Sequence, residues 1–191
     1  MQRELLHTRS IELQGFLRDD GLYDLEARLT DRKSYDGIRF PEDTLPAGEP
    51  LHDMGVRMTF DENLLIHEFR ATMAATPYDA CREAEPNFSA LAGLTIQPGF
   101  LREATRRVAG VKGCTHLREL LQQIATTAFQ TVVGVRLRKQ AAERPLTKPK
   151  LIDSCAGYRA DSDWVRIRWP EYAEPRKTQA SAVAPVRAPP R

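Results

Sequence analysis

The stretch SIELQGFLRDDGLYDLEARLT, residues 10–30, decides the first half of the fold. Its apolar side chains occupy odd positions on both sides of a central Asp-Asp-Gly, and an alternation with a period of two is typical of β-strands. A three-residue loop at residues 19–21, with Gly21 in the left-handed region, brings the two apolar faces together. The same register sets Glu12 opposite Arg28 on the other face. An antiparallel hairpin with one apolar face is therefore predicted.

Residues 51–73 repeat this pattern around a turn at residues 62–63. Apolar side chains fall on even positions before the turn and on odd positions after it, which predicts a second hairpin. With a two-residue turn, Arg57 faces Glu68 on the outer side, and His67 falls on the apolar face. The two hairpins are expected to form one sheet with a single apolar side.

Helical sequence follows the second hairpin and ends in one long element. Apolar residues recur at helical spacing from Gly113 to Lys139, with Cys114 or Thr115 as the cap, and predict an amphipathic helix of about 25 residues. Shorter helices are predicted at residues 78–84, 88–94, 98–108 and 151–157, and a closing strand at residues 164–169. The predicted fold class is α+β, with two antiparallel β-hairpins forming a sheet packed against a long amphipathic helix and several short helices.

Length and composition favour one soluble domain. The chain has 191 residues and is 41% hydrophobic, enough for one core, which we place at residues 9–170. Residues 171–191 read as a disordered Pro/Ala-rich basic tail. Since the basic excess lies in that tail, the folded part lacks the charge expected of a nucleic-acid-binding protein. No apolar run is long enough for a membrane span, and three widely spaced cysteines favour a reducing, cytoplasmic setting. A homo-oligomer is left open.

Familiar catalytic signatures are missing, so the candidates are polar residues on faces that should be buried. The chain has no phosphate-binding loop, no nucleophile elbow and no paired Cys-x-x-Cys, and no cofactor is expected. His52 and His67 fall on the apolar face of the second hairpin, and Tyr23 on that of the first. A histidine in such a place is either a satisfied core residue or a proton-transfer group facing a pocket.

The run Gly113-Cys114-Thr115-His116-Leu117 places a thiol and an imidazole at the start of the long helix. A helix N-terminus lowers the pKa of a thiol and attracts anions, so Cys114 is either a reactive thiolate or a small buried residue beside a cap. Cys81, Cys114, His116 and Cys155 offer three sulfurs and one nitrogen for zinc, but their spacing is dispersed. No metal site is therefore predicted from this set.

Several segments together resemble an uncharacterised proteobacterial family, a domain of unknown function marked by its Gly-Cys-Thr-His-Leu run. Besides that run, the resemblance rests on Asp19-Asp20-Gly21, Leu51-His52-Asp53-Met54, Pro77-Tyr78 with Cys81, and residues 93–100. It covers about residues 9–170 and implies that His52, Cys114 and His116 are signature positions. It also implies a setting in bacteria that break down aromatic and acyl compounds, but no established activity.

The first functional hypothesis is a cofactor-independent lyase, isomerase or hydrolase acting on a small apolar, aromatic compound by acid/base chemistry. His52, His116 and Cys114 are the predicted catalytic residues, and Tyr23, His67 and Tyr78 are predicted to hold the substrate. Release of formaldehyde from a hydroxymethyl compound is one instance. The alternative is a non-catalytic module that binds a small molecule or a protein in a catabolic pathway.

Overall fold

The computed structural model describes residues 1–39, 43–139 and 147–176. The chain divides into two compact units, Met1–Lys139 and Gln140–Arg191. Each is described by itself below. This division does not test the predicted bounds of one domain at residues 9–170, which stay a prediction. Most of the predicted disordered tail, from residue 177 onward, lies outside the described residues.

A four-stranded antiparallel sheet forms one side of the first unit. The strands in chain order are β1 (His7–Leu17), β2 (Tyr23–Lys33), β3 (Gly37–Arg39), β4 (Asp43–Leu45), β5 (Pro50–Phe60) and β6 (Ile66–Ala75). The sheet has the order β1-β2-β5-β6, and β3 pairs with β4 in a separate ribbon. The first hairpin has the predicted register, since Glu12 lies opposite Arg28 and Gly21 has φ +84°.

The register of the second hairpin differs from the prediction. Arg57 lies opposite Arg70, not Glu68, and donates a hydrogen bond of 3.0 Å to Asp24. The turn is longer than two residues, and within it the Asp61 carboxylate accepts hydrogen bonds from the backbone amides of Asn63 and Leu65. The pairing of β5 with β6 also shifts by a residue at the end of β5. His67 is consequently exposed, so the prediction that it faces the core is wrong.

Helices cover the apolar face of the sheet, which confirms the α+β class. A 3-10 helix at Asp79–Leu91 precedes α1 (Phe100–Arg107), a 3-10 turn at Gly110–Lys112 and α2 (Thr115–Lys139). The predicted apolar stripe of α2 is buried in the core at Leu117, Leu120, Leu121, Ile124, Ala128 and Val132. This helix crosses β1 closely, since a Cβ added at Gly15 would overlap the Thr131 hydroxyl oxygen.

The described part of the second unit is helical and has its own small core. Residues 163–168 form α3 (Asp163–Arg168), so the strand predicted at residues 164–169 is wrong. The Ser162 side chain caps this helix, and Val165 and Trp169, four positions apart, point to one core. The helix predicted at residues 151–157 is instead a turn followed by a 3-10 helix at Ala156–Tyr158. Among the described residues, no helix has the length and apolar character needed to cross a membrane.

Candidate functional site

A buried carboxylate, that of Asp31, is the centre of the candidate site. Asp31 lies near the end of β2, with only 1% of its surface exposed. The Arg9 guanidinium on β1 donates to both of its oxygens, from Nε to Oδ1 and from Nη2 to Oδ2, each at 2.8 Å. A two-pronged contact of this kind fixes the orientation of a carboxylate as well as compensating its charge.

Two histidines complete the shell around this carboxylate. His7 Nε2 on β1 lies 2.9 Å from Oδ1, and His52 Nδ1 on β5 lies 3.0 Å from Oδ2. His52 is the register partner of Asp31, and the pairing of β2 with β5 shifts just after this position. A bulge beside a functional residue is a common device for aiming a side chain. The four hydrogen bonds together occupy the acceptor positions of the carboxylate.

The start of α2 brings a third imidazole and a thiol to the same place. The His116 ring lies on the His52 ring, with centroids 3.9 Å apart and planes tilted by 37°. Cys114 Sγ is 3.8 Å from His116 Nδ1. Arg9 Nη1 also donates to Glu119 Oε2 at 2.6 Å, so one arginine ties α2 to the carboxylate. The site is thus built from four elements, β1, β2, β5 and α2.

The electrostatics keep the Asp31 carboxylate charged and the His52 and His116 imidazoles neutral. Burial by itself would raise the pKa of Asp31, but the hydrogen bonds and charge of Arg9, with His7 and His52, lower it to about 2. Burial and the neighbouring His116 lower the pKa of His52, although Asp31 works against them. Burial and the charge of Arg9 lower the pKa of His116. Near pH 7, His52 therefore donates its Nδ1 proton to Asp31 and keeps a free lone pair on Nε2.

The same residues form a set of donors that could hold a metal ion. One ligand atom each from Asp31, His52 and His116 lies within 4.8 Å of the others, and no other group of this kind converges among the described residues. Two imidazoles and a carboxylate suit zinc or another divalent transition metal. Arg9, however, already occupies both carboxylate oxygens.

A family model described as "Protein of unknown function (DUF2889)" matches residues 7–130. The chain belongs to the DUF2889 family. The matched range contains every residue of the cluster around Asp31, so the cluster lies within the part of the chain that matches the family. No curated protein and no solved structure gave a significant match.

The DUF2889 domain brings together three of the six site residues predicted from sequence, namely His52, His116 and Cys114. Tyr23 lies elsewhere in the core, where its ring stacks on that of Phe60 with the centroids 5.6 Å apart. It precedes Asp31 by eight positions on β2, which corresponds to about 26 Å along the strand. His67 is exposed and lies 3.4 Å from Asp61, and Tyr78 is also exposed. The structure therefore does not bring Tyr23 and His67 to the site.

The three cysteines considered with His116 as zinc ligands are not part of the convergent group formed by Asp31, His52 and His116. Cys81 and Cys114 are half-buried against the core of the first unit, and Cys155 is exposed in the second unit. His116 is the member of that set that takes part in the convergent group.

Sequence reasoning missed Asp31, His7 and Arg9. Asp31 occupies an odd position of β2 and therefore lies on the same inward face as Tyr23 and Leu25. His7 and Arg9 lie on odd positions of β1 in the same way. An acid at an inward-facing position is the signal that could have identified the site, because a buried carboxylate needs charged or hydrogen-bonding partners.

Two cavities lie on opposite sides of the sheet of the DUF2889 domain. The larger, about 620 Å³, covers the outer face between Glu12, Arg28 and Arg70 and contains no residue of the cluster. The second, about 550 Å³, is lined by Arg9, which also binds Asp31, and by Glu119. The second cavity is the one that adjoins the candidate site.

Proposed function

We propose that this domain is a cofactor-independent enzyme that acts on a small aromatic compound by acid/base chemistry. The proposed class is a lyase, isomerase or hydrolase, with the lyase reaction favoured. His52 is the general base, His116 is the second proton-carrying group, and Asp31 is a positioning residue that acts through His52. The single observation that supports this assignment most is the 3.0 Å contact between His52 Nδ1 and the buried Asp31 carboxylate.

That contact has a direct chemical consequence. A carboxylate that accepts from Nδ1–H fixes the tautomer of the imidazole and turns Nε2 into the proton acceptor. Because burial and His116 lower the pKa of His52, the ring is neutral and able to accept a proton near pH 7. Asp31 itself has a pKa of about 2, so it stays ionised and does not compete for the proton.

The neighbouring imidazole supplies the second half of a proton-transfer cycle. His116 stacks on His52 with ring centroids 3.9 Å apart, so a substrate at the edge of one ring is within reach of both. A reaction that removes a proton at one atom and returns it at another can use two such groups. Cys114, 3.8 Å from His116, is the third predicted catalytic residue and is in position to hydrogen-bond that ring.

Retro-aldol release of formaldehyde is the concrete reaction that we propose. His52 Nε2 takes the proton of a substrate hydroxymethyl group, and the bond between that carbon and the next one breaks. Formaldehyde leaves, and the electron pair of the broken bond remains on the product as the enolate of the aromatic ketone. Protonation of the enolate carbon by the imidazolium completes the reaction, so neither an oxidant nor a reductant is needed. The amides after Gly113 are proposed to stabilise the enolate oxygen.

The biological setting belongs to the same proposal. We place the enzyme in the cytoplasm of a bacterium that degrades aromatic compounds, with a small molecule as its ligand. Three free cysteines support a reducing compartment. The resemblance noted in the sequence supports the catabolic setting.

The test uses β-hydroxypropiophenone, which would give formaldehyde and acetophenone in equal amounts. We expect His52→Gln to lower kcat by about 10²- to 10⁴-fold, the range for loss of a general base. His67→Gln is the matched control, because His67 is exposed and hydrogen-bonds only near the β5–β6 turn. Equal turnover by wild type and His52→Gln would refute the role of His52. Turnover that is lost with EDTA and restored by zinc would refute the cofactor-independent mechanism and favour the Asp31, His52 and His116 metal set.

A further inference from the structure

The cavity beside the site is lined by an arginine that forms no ion pair among the described residues. Three charged side chains line this cavity of about 550 Å³, namely Arg9, Arg118 and Glu119. The charge of Arg9 is matched by Asp31 and Glu119, at 2.8 Å and 2.6 Å. Arg118 is half-buried, and its guanidinium makes no ion pair with any residue in the part of the chain that the structure describes.

Arg118 lines the cavity half-buried and without a carboxylate partner among the described residues. Removing a charge from water has a cost, which is normally offset by an opposite charge or by hydrogen bonds. The planar fork of an arginine is suited to two parallel hydrogen bonds with a carboxylate. The Arg118 guanidinium can therefore bind an anion that enters the cavity.

The rest of the cavity fits an organic anion with an apolar body. Ile11 on β1 and Leu101 on α1 supply apolar contacts, and Thr105 adds a hydroxyl group. A volume of about 550 Å³ lies within the usual range for sites that bind small organic molecules. Inorganic anions would satisfy the arginine but leave these apolar side chains without a partner.

We infer that this cavity binds a small aromatic carboxylate, with its carboxylate group on the Arg118 guanidinium and its ring between Ile11 and Leu101. This assignment rests on the proposed function only in treating the bound acid as the substrate class. Arg9 lines the same cavity and also binds Asp31, so an acid held by Arg118 lies beside a residue of the cluster. Arg118 is then a specificity-determining residue and takes no part in proton transfer.

The experiment is calorimetric titration of the full chain with 4-hydroxybenzoate and with the neutral analogue 4-hydroxybenzamide. We expect the acid to bind about 10- to 100-fold more tightly than the amide, the range for one charge-assisted contact. Arg118→Met should abolish this preference, and Arg118→Lys should retain part of it, because a lysine keeps the charge without the fork. Arg102→Met is the matched control, since Arg102 is exposed on α1 and does not line the cavity.

Each outcome decides the inference separately from the proposed enzyme. Retention of the preference in Arg118→Met, or equal affinity of the wild type for acid and amide, would overturn it. Weak binding of both probes, beyond millimolar concentrations, would overturn it as well. His52→Gln should bind 4-hydroxybenzoate like the wild type, so a failure of catalysis with intact binding would refute only the proposed function. Affinity of the wild type should also fall as salt is added, because the Arg118 contact is charged.

Discussion

Replacing Asp31 by Asn should destabilise the first unit more than the same change at Asp53, another acid of the sheet that binds an arginine. The pKa of Asp31 is about 2 in the folded protein, against an ordinary value of 3.8. Each pKa unit corresponds to about 1.4 kcal/mol, so the charged form stabilises the fold by about 2 kcal/mol. The amide also loses acceptor capacity toward His7, Arg9 and His52, which adds to the loss.

The sign of the pH dependence follows from the direction of this shift. Because the folded-state pKa is lowered, the contribution is complete above pH 4 and is lost as the pH falls from about 4 to about 2. The difference in unfolding free energy between wild type and Asp31→Asn should therefore be about 2 to 4 kcal/mol at pH 7. It should shrink by about 2 kcal/mol between pH 4 and pH 2.

Urea unfolding followed by far-UV circular dichroism is the suitable assay. Both tryptophans, Trp164 and Trp169, lie in the second unit, so tryptophan fluorescence would report the wrong part of the chain. Asp53→Asn is the matched control, because Asp53 also binds an arginine with both oxygens but its partner Arg28 is largely exposed. We expect the control to cost less than about 1 kcal/mol. Equal losses for the two variants, or a loss for Asp31→Asn that does not change below pH 4, would refute the reasoning.

Two further perturbations test the packing and the histidines. Gly15→Ala should destabilise the first unit by about 1 to 3 kcal/mol, because the new methyl group would meet Thr131 on α2, and Thr131→Ala in the same chain should restore part of the loss in the urea assay. The pKa values of His52 and His116 are lowered, so the unfolded chain takes up protons first and stability should fall as the pH drops from 7 to 5. Melting temperatures across this range should fall less for His52→Gln than for the wild type, and parallel curves would contradict the assignment of neutral imidazoles.

The first hairpin was predictable in full because its register depends on local features alone. A glycine in the left-handed region closes the loop, and the alternation on either side leaves one arrangement with a common apolar face. The second hairpin was not predictable to the same degree. Its turn places Leu64 at φ +64°, a conformation that leucine rarely adopts, and no sequence pattern marks it.

The candidate site was predictable only in part for a related reason. His52 was identified because it falls on the apolar face of its strand, and His116 because it follows Gly113 and Cys114 at the start of the long helix. Asp31 was not among the residues predicted for the site, since its role depends on the pairing of β2 with β5. The order of two hairpins within a sheet is a tertiary property, and alternation along each strand does not specify it. Arg9, which is 110 positions from Glu119, could be placed only by the fold.

The saturated carboxylate of Asp31 has a consequence for the specificity of folding. A slip of β2 against β5 by two residues would leave the strands hydrogen-bonded and the same set of side chains on the buried face, which makes such pairings the natural competitors of the native state. In such a state Asp31 would lose His52, and a buried charge without its partners costs several kcal/mol. We therefore expect the polar cluster to fix the register of the two central strands, β2 and β5. A chain in which Asp31, His7, Arg9 and His52 are replaced by apolar residues should still collapse, but into a mixture of strand pairings.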